Sequence, residues 1–299
     1  MDKHTGRITD IQGFSTDNGP GIRTTIFLKG CSLRCTWCHN PETLSANPQL
    51  LVYPQRCVHC GRCVPLCPLG CHTDDGAAHT VRRESCIGCG ICAAACRSEA
   101  LVLSGREITA EQLLPRILAD KPYYDRSGGG LTLSGGEPLL QARFCAELAG
   151  RCAASGVSTL IDTAACVDFS SFEMVLPYVR QYYIDLKCPD ELSYRRHTGG
   201  SLERVIDNLR RLSKKNVEIT IRIPIIPGIN DHEEACSQMA ALLTDIPVKA
   251  VHMLPFHRLG TSKYDALGLE YPYAGFPSYT AEALTPLLGA FQNLPVSIA

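Results

Sequence analysis

Apolar positions along the chain fall into two alternating textures. Short continuous runs, TTIFLKG from Thr24, LTLSG from Leu131, VSTLIDTA from Val157, QYYIDLK from Gln181, VEITIRIPII from Val217 and VKAVHMLPF from Val248, have the length and β-branched content of buried strands. Between them lie amphipathic stretches at helical spacing, such as ITAEQLLPRILAD, PLLQARFCAELAGRCAAS and LERVIDNLRRLSKKN, the last with Leu202, Val205, Ile206, Leu209 and Leu212 on one face. Six strand–helix units predict an α/β fold with a parallel sheet, open or curled into a barrel. Chemistry in such folds collects at the C-terminal ends of the strands. Cys31 follows the first run, Gly135, Gly136 and Glu137 end the second, and Asp162 and Thr163 end the third. Asp185 and Lys187 close the fourth, Arg222 lies in the latter half of the fifth, and His257 follows the sixth. One rim is therefore expected to carry the reactive side chains.

This alternation breaks between Cys57 and Cys96, where the sequence reads CVHCGRCVPLCP and then CIGCGICAAAC with few long apolar runs. We expect an inserted module at residues 54–104, with residues 1–53 and 105–299 forming the α/β body. Cys57, Cys60, Cys63, Cys67 and Pro68 follow the CxxCxxCxxxCP run of bacterial ferredoxins, and Cys86, Cys89, Cys92 and Cys96 repeat it with Arg97 in place of proline. In two-cluster ferredoxins the fourth cysteine of each run serves the other cluster. On that pattern Cys96 completes Cys57, Cys60 and Cys63, and Cys67 completes Cys86, Cys89 and Cys92. Two zinc knuckles are the alternative. Cys71 falls outside both patterns.

Seventeen cysteines in 299 residues, an odd number, do not read as a small disulfide scaffold. Metal binding in a reducing compartment fits better. The amino-terminal MDKHTGRITD has no apolar core followed by a cleavage site, and no run approaches the roughly 18 apolar residues of a membrane span. A cytoplasmic protein without a membrane partner is expected. The formal net charge of −1 provides no field for nucleic acid, and Arg210, Arg211, Lys214 and Lys215 read as a solvated helix face.

GCSLRCTWCHNPE, from Gly30 to Glu42, holds Cys31, Cys35 and Cys38 with no fourth cysteine nearby. A structural metal site is closed by four protein ligands, whereas a catalytic one keeps a position open. Three thiolates on one loop suit an iron–sulfur cluster, with zinc kept open by His39. The glycine-rich SGGGLTLSGGE fails the dinucleotide fingerprint, because Leu133 stands where its third glycine belongs. What remains is a strand ending in backbone that a ligand can approach, with Glu137 able to meet a cation. Lys187 reads as a carboxylate partner or a structural ion pair, and His257 as a ligand contact or a structural group. Cys145, Cys152, Cys166, Cys188 and Cys236 share no ligand spacing and are expected to fill the core. Asp162, Thr163 and Asp185 meet at adjacent strand ends, where two carboxylates beside an anionic ligand need a cation. Lys187 supplies one charge, and oxygen ligation favours a hard metal ion; the alternative has Asp162 paired to a basic residue and Asp185 capping a loop.

Taken together, NGPGIRTTIFLKGCSLRCTWCHNPE, GGGLTLSGGEPLLQ, DTAACV, YYIDLK, IRIPIIPGIND and LPFHRLG resemble, in order, the motifs of glycyl-radical enzyme activating enzymes. These are relatives of pyruvate formate-lyase activase in the radical S-adenosylmethionine superfamily, and the insert is similar to that of the subgroup serving glycerol dehydratase and choline lyase. The resemblance implies a partial (β/α)6 barrel with a ferredoxin-like insert, hence three 4Fe-4S clusters. It implies that Cys31, Cys35 and Cys38 hold three irons, that S-adenosylmethionine chelates the fourth, and that no catalytic side chain acts beyond these groups. Gly135, Gly136 and Glu137 match the motif near its amino group, Lys187 the carboxylate-binding lysine, and His257 the histidine near ribose and adenine. Arg222 falls on a further cofactor position. The pyruvate formate-lyase activase motif also frames a monovalent cation, sodium or potassium, at Asp162, Thr163 and Asp185. The loop bearing Asn18, Gly19 and Gly21 would face the partner's glycine peptide, although the family usually has aspartate where this chain has Asn18. Implied partners are a glycyl-radical enzyme and a reductant such as flavodoxin or ferredoxin. Alternative readings are a radical enzyme acting on a small molecule and a multi-cluster electron carrier.

Overall fold

The computed structural model describes residues 4–299. Its main sheet has nine strands: β1 (Thr5–Ser15), β2 (Arg23–Leu28), β3 (Arg106–Thr109), β4 (Gly130–Gly135), β5 (Thr159–Thr163), β6 (Gln181–Asp185), β7 (Glu218–Ile225), β8 (Ala250–Pro255) and β9 (Val296–Ile298). They lie in the order β9-β8-β7-β6-β5-β4-β2-β1-β3. From β2 to β9 every pairing is parallel, whereas β1 runs antiparallel to both β2 and β3. All six runs read from the sequence are strands of this sheet. It exceeds the expected six by a seventh parallel strand, β9, and by the antiparallel pair β1 and β3.

Strands β4 and β5 are buried on both faces almost throughout, which accounts for their unbroken apolar character. Helices cover the sheet. Ala110–Ala119 starts with a capping box between Thr109 and Gln112. Leu202–Leu212, capped by Ser201, buries the five apolar residues read from its periodicity. Its Asn208 is buried too, and Nδ2 donates to the carbonyls of Ala165 and Val167, fixing the chain just beyond β5. Arg210 and Arg211 are exposed and pair with acidic neighbours, as a solvated face should. Cys145, Cys152, Cys166, Cys188 and Cys236 are buried in or against the core.

The cysteine-rich segment leaves and rejoins the body through an antiparallel ribbon, Gln49–Val52 against Leu101–Ser104. Leu50, Val52, Cys92 and Leu101 form its own small apolar core, separate from the main one. Within the segment, short helices Cys63–Leu66 and Ile91–Ala95 accompany a hairpin pairing His72–Asp74 with His79–Val81. Arg83 ties it to the body, donating to the carbonyls of Leu50 and Ala266. Among the described residues no helix is long and apolar enough to cross a membrane.

Candidate functional site

A cavity of about 950 Å³ opens at the C-terminal ends of the parallel strands. Cys31, Cys35 and Cys38 border it, as do Gly135, Gly136, Asp162, Thr163, Asp185, Lys187, Arg222 and His257. The rim expected from the strand rule is therefore a single surface.

The three cysteines sit on a loop fixed mainly through its backbone. Cys31 N–H donates to the Leu44 carbonyl at 3.2 Å, Arg34 N–H to Thr198 at 2.7 Å and Thr36 N–H to His197 at 3.0 Å. Gly136 packs where a Cβ would lie 2.3 Å from the Gly30 carbonyl oxygen, so only glycine allows this strand end to approach the loop. Burial pushes the Cys31 and Cys38 thiols up to about 12, so loading a metal there must displace protons. Among the described residues only two groups bring three His, Cys, Asp or Glu donors within 4.8 Å of one another, and neither includes this triad.

Charge at the rim is balanced within the protein. Arg222 donates from Nη2 to Asp162 at 2.8 Å and from Nε to Asp185 at 3.0 Å, while Lys187 Nζ pairs with Asp185 at 2.8 Å. Burial raises Asp185, but Arg222 and Lys187 outweigh it and hold the carboxyl down at about 2. Asp162 stays raised because burial dominates, although Arg222 opposes it, and the Ser134 hydroxyl donates to its Oδ2 at 2.7 Å. Arg222 thus places one guanidinium against both carboxylates. Thr163 is turned away from them, its hydroxyl donating to Glu137 at 2.7 Å. The oxygen set expected for sodium or potassium, Asp162, Thr163 and Asp185, is therefore already divided among protein partners.

Glu137 is placed behind the cavity lining rather than in it. Its side chain lies beneath the rim, fully buried, and accepts from Leu139 N–H, the Thr163 hydroxyl and Ala164 N–H. Burial raises it to about 7 in spite of those donors. Glu137 braces the glycine turn, leaving Gly135 and Gly136 at the cavity wall. On the opposite side, His257 stacks on His39 with ring centroids 4.0 Å apart. Burial, then His257, lowers His39 to about 4, and its buried Nε2 has no partner among the described residues.

The loop of residues 18–21 overhangs this cavity through Gly19 and Pro20. Its anchor, Arg23, was not singled out in the sequence. The guanidinium is completely buried and donates to Thr132 Oγ1 at 2.6 Å, the Leu131 carbonyl at 2.5 Å and the Pro20 carbonyl at 3.2 Å. Thr132 in turn donates to the Asn18 carbonyl at 2.7 Å. Asn18 Nδ2 donates to Ser15 Oγ, so its amide serves the loop itself. At Gly21, with φ of +72°, a Cβ would lie 2.5 Å from the Ser127 carbonyl oxygen. Tyr183 and His252 also border the cavity, and their strand positions beside Asp162 and Arg222 were the available signal.

In the inserted segment, Cys57, Cys60, Cys63 and Cys96 border one small cavity, and Cys67, Cys86 and Cys89 border another, with Cys92 lining both. Cys71 borders the second, and its N–H donates to Cys67 Sγ at 3.2 Å.

The sequence profile of the Radical SAM superfamily matches residues 25–239. Indoleacetate decarboxylase activating enzyme from Tractidigestivibacter scatoligenes is 38% identical over 88% of this chain and 87% of its own length. Choline trimethylamine-lyase activating enzyme from Oleidesulfovibrio alaskensis is 36% identical over 97% of each chain. A radical SAM methyltransferase from Sphaerobacter thermophilus shares the fold at a TM-score of 0.55 and 13% identity, covering 98% of this chain and 76% of that one. The chain belongs to the radical SAM superfamily and, within it, to the activating enzymes of glycyl-radical enzymes.

Proposed function

We propose that this protein binds a 4Fe-4S cluster on Cys31, Cys35 and Cys38, holds S-adenosylmethionine in the adjoining cavity, and installs a radical on a glycine of a partner enzyme. The observation that carries this is the meeting of an open cysteine triad, a glycine-walled strand end, Lys187 and the stacked His39–His257 pair around one cavity. When bound, the cluster and S-adenosylmethionine supply one-electron reductive cleavage to methionine and a 5′-deoxyadenosyl radical, which takes the glycine Cα hydrogen. Gly135 and Gly136 admit the ligand's amino end to the wall, and Lys187 meets its carboxylate. His257, with His39 behind it, flanks the adenosine. Arg222 acts as the fixed cation of the site in place of a monovalent ion, keeping Asp162 and Asp185 from repelling the ligand.

The loop of residues 18–21, clamped by Arg23, is the entrance for the partner's glycine peptide. Asp17, next to Asn18 and at the cavity mouth, keeps a carboxylate in that region. The two cysteine quartets of the insert are read as two auxiliary 4Fe-4S clusters with crossed fourth ligands, supported by two cavities that each collect one full quartet and share Cys92. A flavodoxin or ferredoxin is the reductant of matching chemistry, and a cytoplasmic setting suits oxygen-sensitive thiolate clusters. The test is anaerobic incubation with candidate glycyl-radical enzymes, S-adenosylmethionine and a reductant. A glycyl radical in the electron paramagnetic resonance spectrum of one candidate is expected. Rapid 5′-deoxyadenosine formation that responds to no protein candidate, but to a small molecule, would overturn the assignment.

A further inference from the structure

The hairpin between the two cysteine runs carries histidines at His72 and His79, which no motif of the chain uses. In an antiparallel pair, residues opposite each other share a face. Asp74 is opposite His79 and His72 opposite Val81, so these four side chains point one way, while Thr73 and Thr80 bond each other on the exposed face at 2.6 Å. The first face meets the cysteines. His79 Nε2 lies 3.4 Å from Cys63 Sγ and 3.0 Å from His72 Nδ1, and the two rings stack with centroids 5.2 Å apart. His79 borders the Cys57–Cys60–Cys63–Cys96 cavity, and His72 borders the other. Asp74 fixes the hairpin on the first run, accepting from His59 Nδ1 at 3.0 Å.

We propose that this hairpin tunes the first auxiliary cluster, with His79 donating its Nε2 hydrogen to the sulfur of Cys63 and His72 acting as the positioning residue behind it. This rests on the two-cluster reading of the insert. A cluster-bound thiolate carries no proton and accepts only, so the hydrogen belongs on His79 Nε2, where it is shared between the sulfur and His72 Nδ1. Reduction adds negative charge to a cluster, and hydrogen bonds to its sulfurs favour that state, so His79 raises the potential of the first cluster. The second cluster has no such donor from this pair. Its Cys67 sulfur instead accepts from Cys71, through the backbone N–H at 3.2 Å and through the thiol, with no imidazole donor. The hairpin thereby makes two sequence-similar cluster sites unequal.

The experiment is a reductive titration of the anaerobically reconstituted full chain, followed by electron paramagnetic resonance, for wild type, His79→Phe and His79→Gln, with iron and zinc counted in each. His79→Phe keeps a stacking ring without the donor and should shift one auxiliary couple to lower potential while the other stays put. His79→Gln restores a donor and should recover part of the shift. Hyperfine spectroscopy of the wild type, which needs no variant, should show an exchangeable proton and a histidine nitrogen coupled to one reduced auxiliary cluster. About twelve irons with unmoved potentials and no such coupling would overturn the role of His79 and leave the two-cluster reading intact. About four irons, with zinc that is lost in His79→Phe, would mean that Cys63, His72 and His79 hold a single ion, overturning both.

Discussion

At Glu137 a carboxylate is pulled two ways, by burial toward the neutral acid and by three donors toward the anion. Burial wins, and the folded value of about 7 lies above the ordinary 4.5. The folded protein therefore holds this proton more tightly than the unfolded chain, and the associated stability is present below about pH 4.5 and lost as pH rises through about 7. Between about pH 6 and 8 the loss should be about 1 kcal/mol. Glu137→Gln should remove that pH-dependent part, on top of a pH-independent loss of about 1–3 kcal/mol for the mismatched amide. Anaerobic denaturation at the two pH values checks it, and an unchanged pH difference in the variant would sink the account. Arg222 makes a second prediction. Replacing it by methionine leaves Asp162 and Asp185 with Lys187 alone and should cost about 3–5 kcal/mol, because removing one member of a buried charge set strands the other. Arg222→Lys should recover only part, since an ammonium lacks the fork that reaches both carboxylates. With Arg222 in place, S-adenosylmethionine cleavage by the wild type should be equal in sodium, potassium and a bulky organic cation at matched ionic strength. A rate that depends on the small cation would restore the monovalent site. Sequence placed Arg222 on the rim through its strand position. It could not show the pairing, which depends on the register of Asp185 beside Arg222 across β6 and β7.

The elements most legible in the sequence are those whose burial is uniform. Strands β4 and β5 have their backbone groups paired on both sides and pack on both faces, so their sequences are runs of apolar and β-branched residues. Strand β1 was missed because register shifts between Ile8 and Asp10 and between Gln12 and Ser15 break its alternation, leaving buried Ile8 and Ile11 three apart among arginine, aspartate and glutamine. Strands β3 and β9 are edges of four and three residues, too short to carry a pattern. The rim followed directly from the strand ends, but the anchor of the loop over it did not. Arg23 begins β2 and looks like an ordinary flanking charge until β4 brings Thr132 and the Leu131 carbonyl beside it. This element supports a prediction about the loop. Gly21→Ala combines a left-handed backbone with a Cβ pressed on the backbone of Ser127 and Gly129, strain of about 1–3 kcal/mol that is relieved by moving the loop. Because the cysteine triad and Lys187 lie on other elements, S-adenosylmethionine cleavage without partner should persist. Glycyl-radical yield should fall roughly tenfold or more, since about 1.4 kcal/mol corresponds to a factor of ten. Equal losses in both assays would place the loop's contribution in cofactor binding instead.

On the scale of the whole molecule, the insert and the body are folded around different apolar cores and carry different sets of cysteines. Leu50, Val52, Cys92 and Leu101 pack with Cys63, Cys86 and Cys96, whereas Cys31 and Cys35 pack against the main core. Metal binding that organises one set of thiolates supplies its free energy to that set's surroundings. Loss of one cluster should therefore leave the others assembled. Cys35→Ala removes the middle ligand of the triad and a side chain packed on the main core, so a stability loss of about 1–2 kcal/mol is expected in the body. Iron should fall by about four from about twelve, and S-adenosylmethionine cleavage should be abolished. The auxiliary signals in electron paramagnetic resonance should keep their wild-type potentials, because His79, Cys63 and the hairpin lie within the insert. Removal of all iron by this single change would show that the two units assemble as one. Retention of all twelve with cleavage lost would show that Cys35 acts on the ligand rather than on the cluster. Only the intermediate result, about eight irons and no cleavage, matches two metal-binding units that share a chain and divide their tasks.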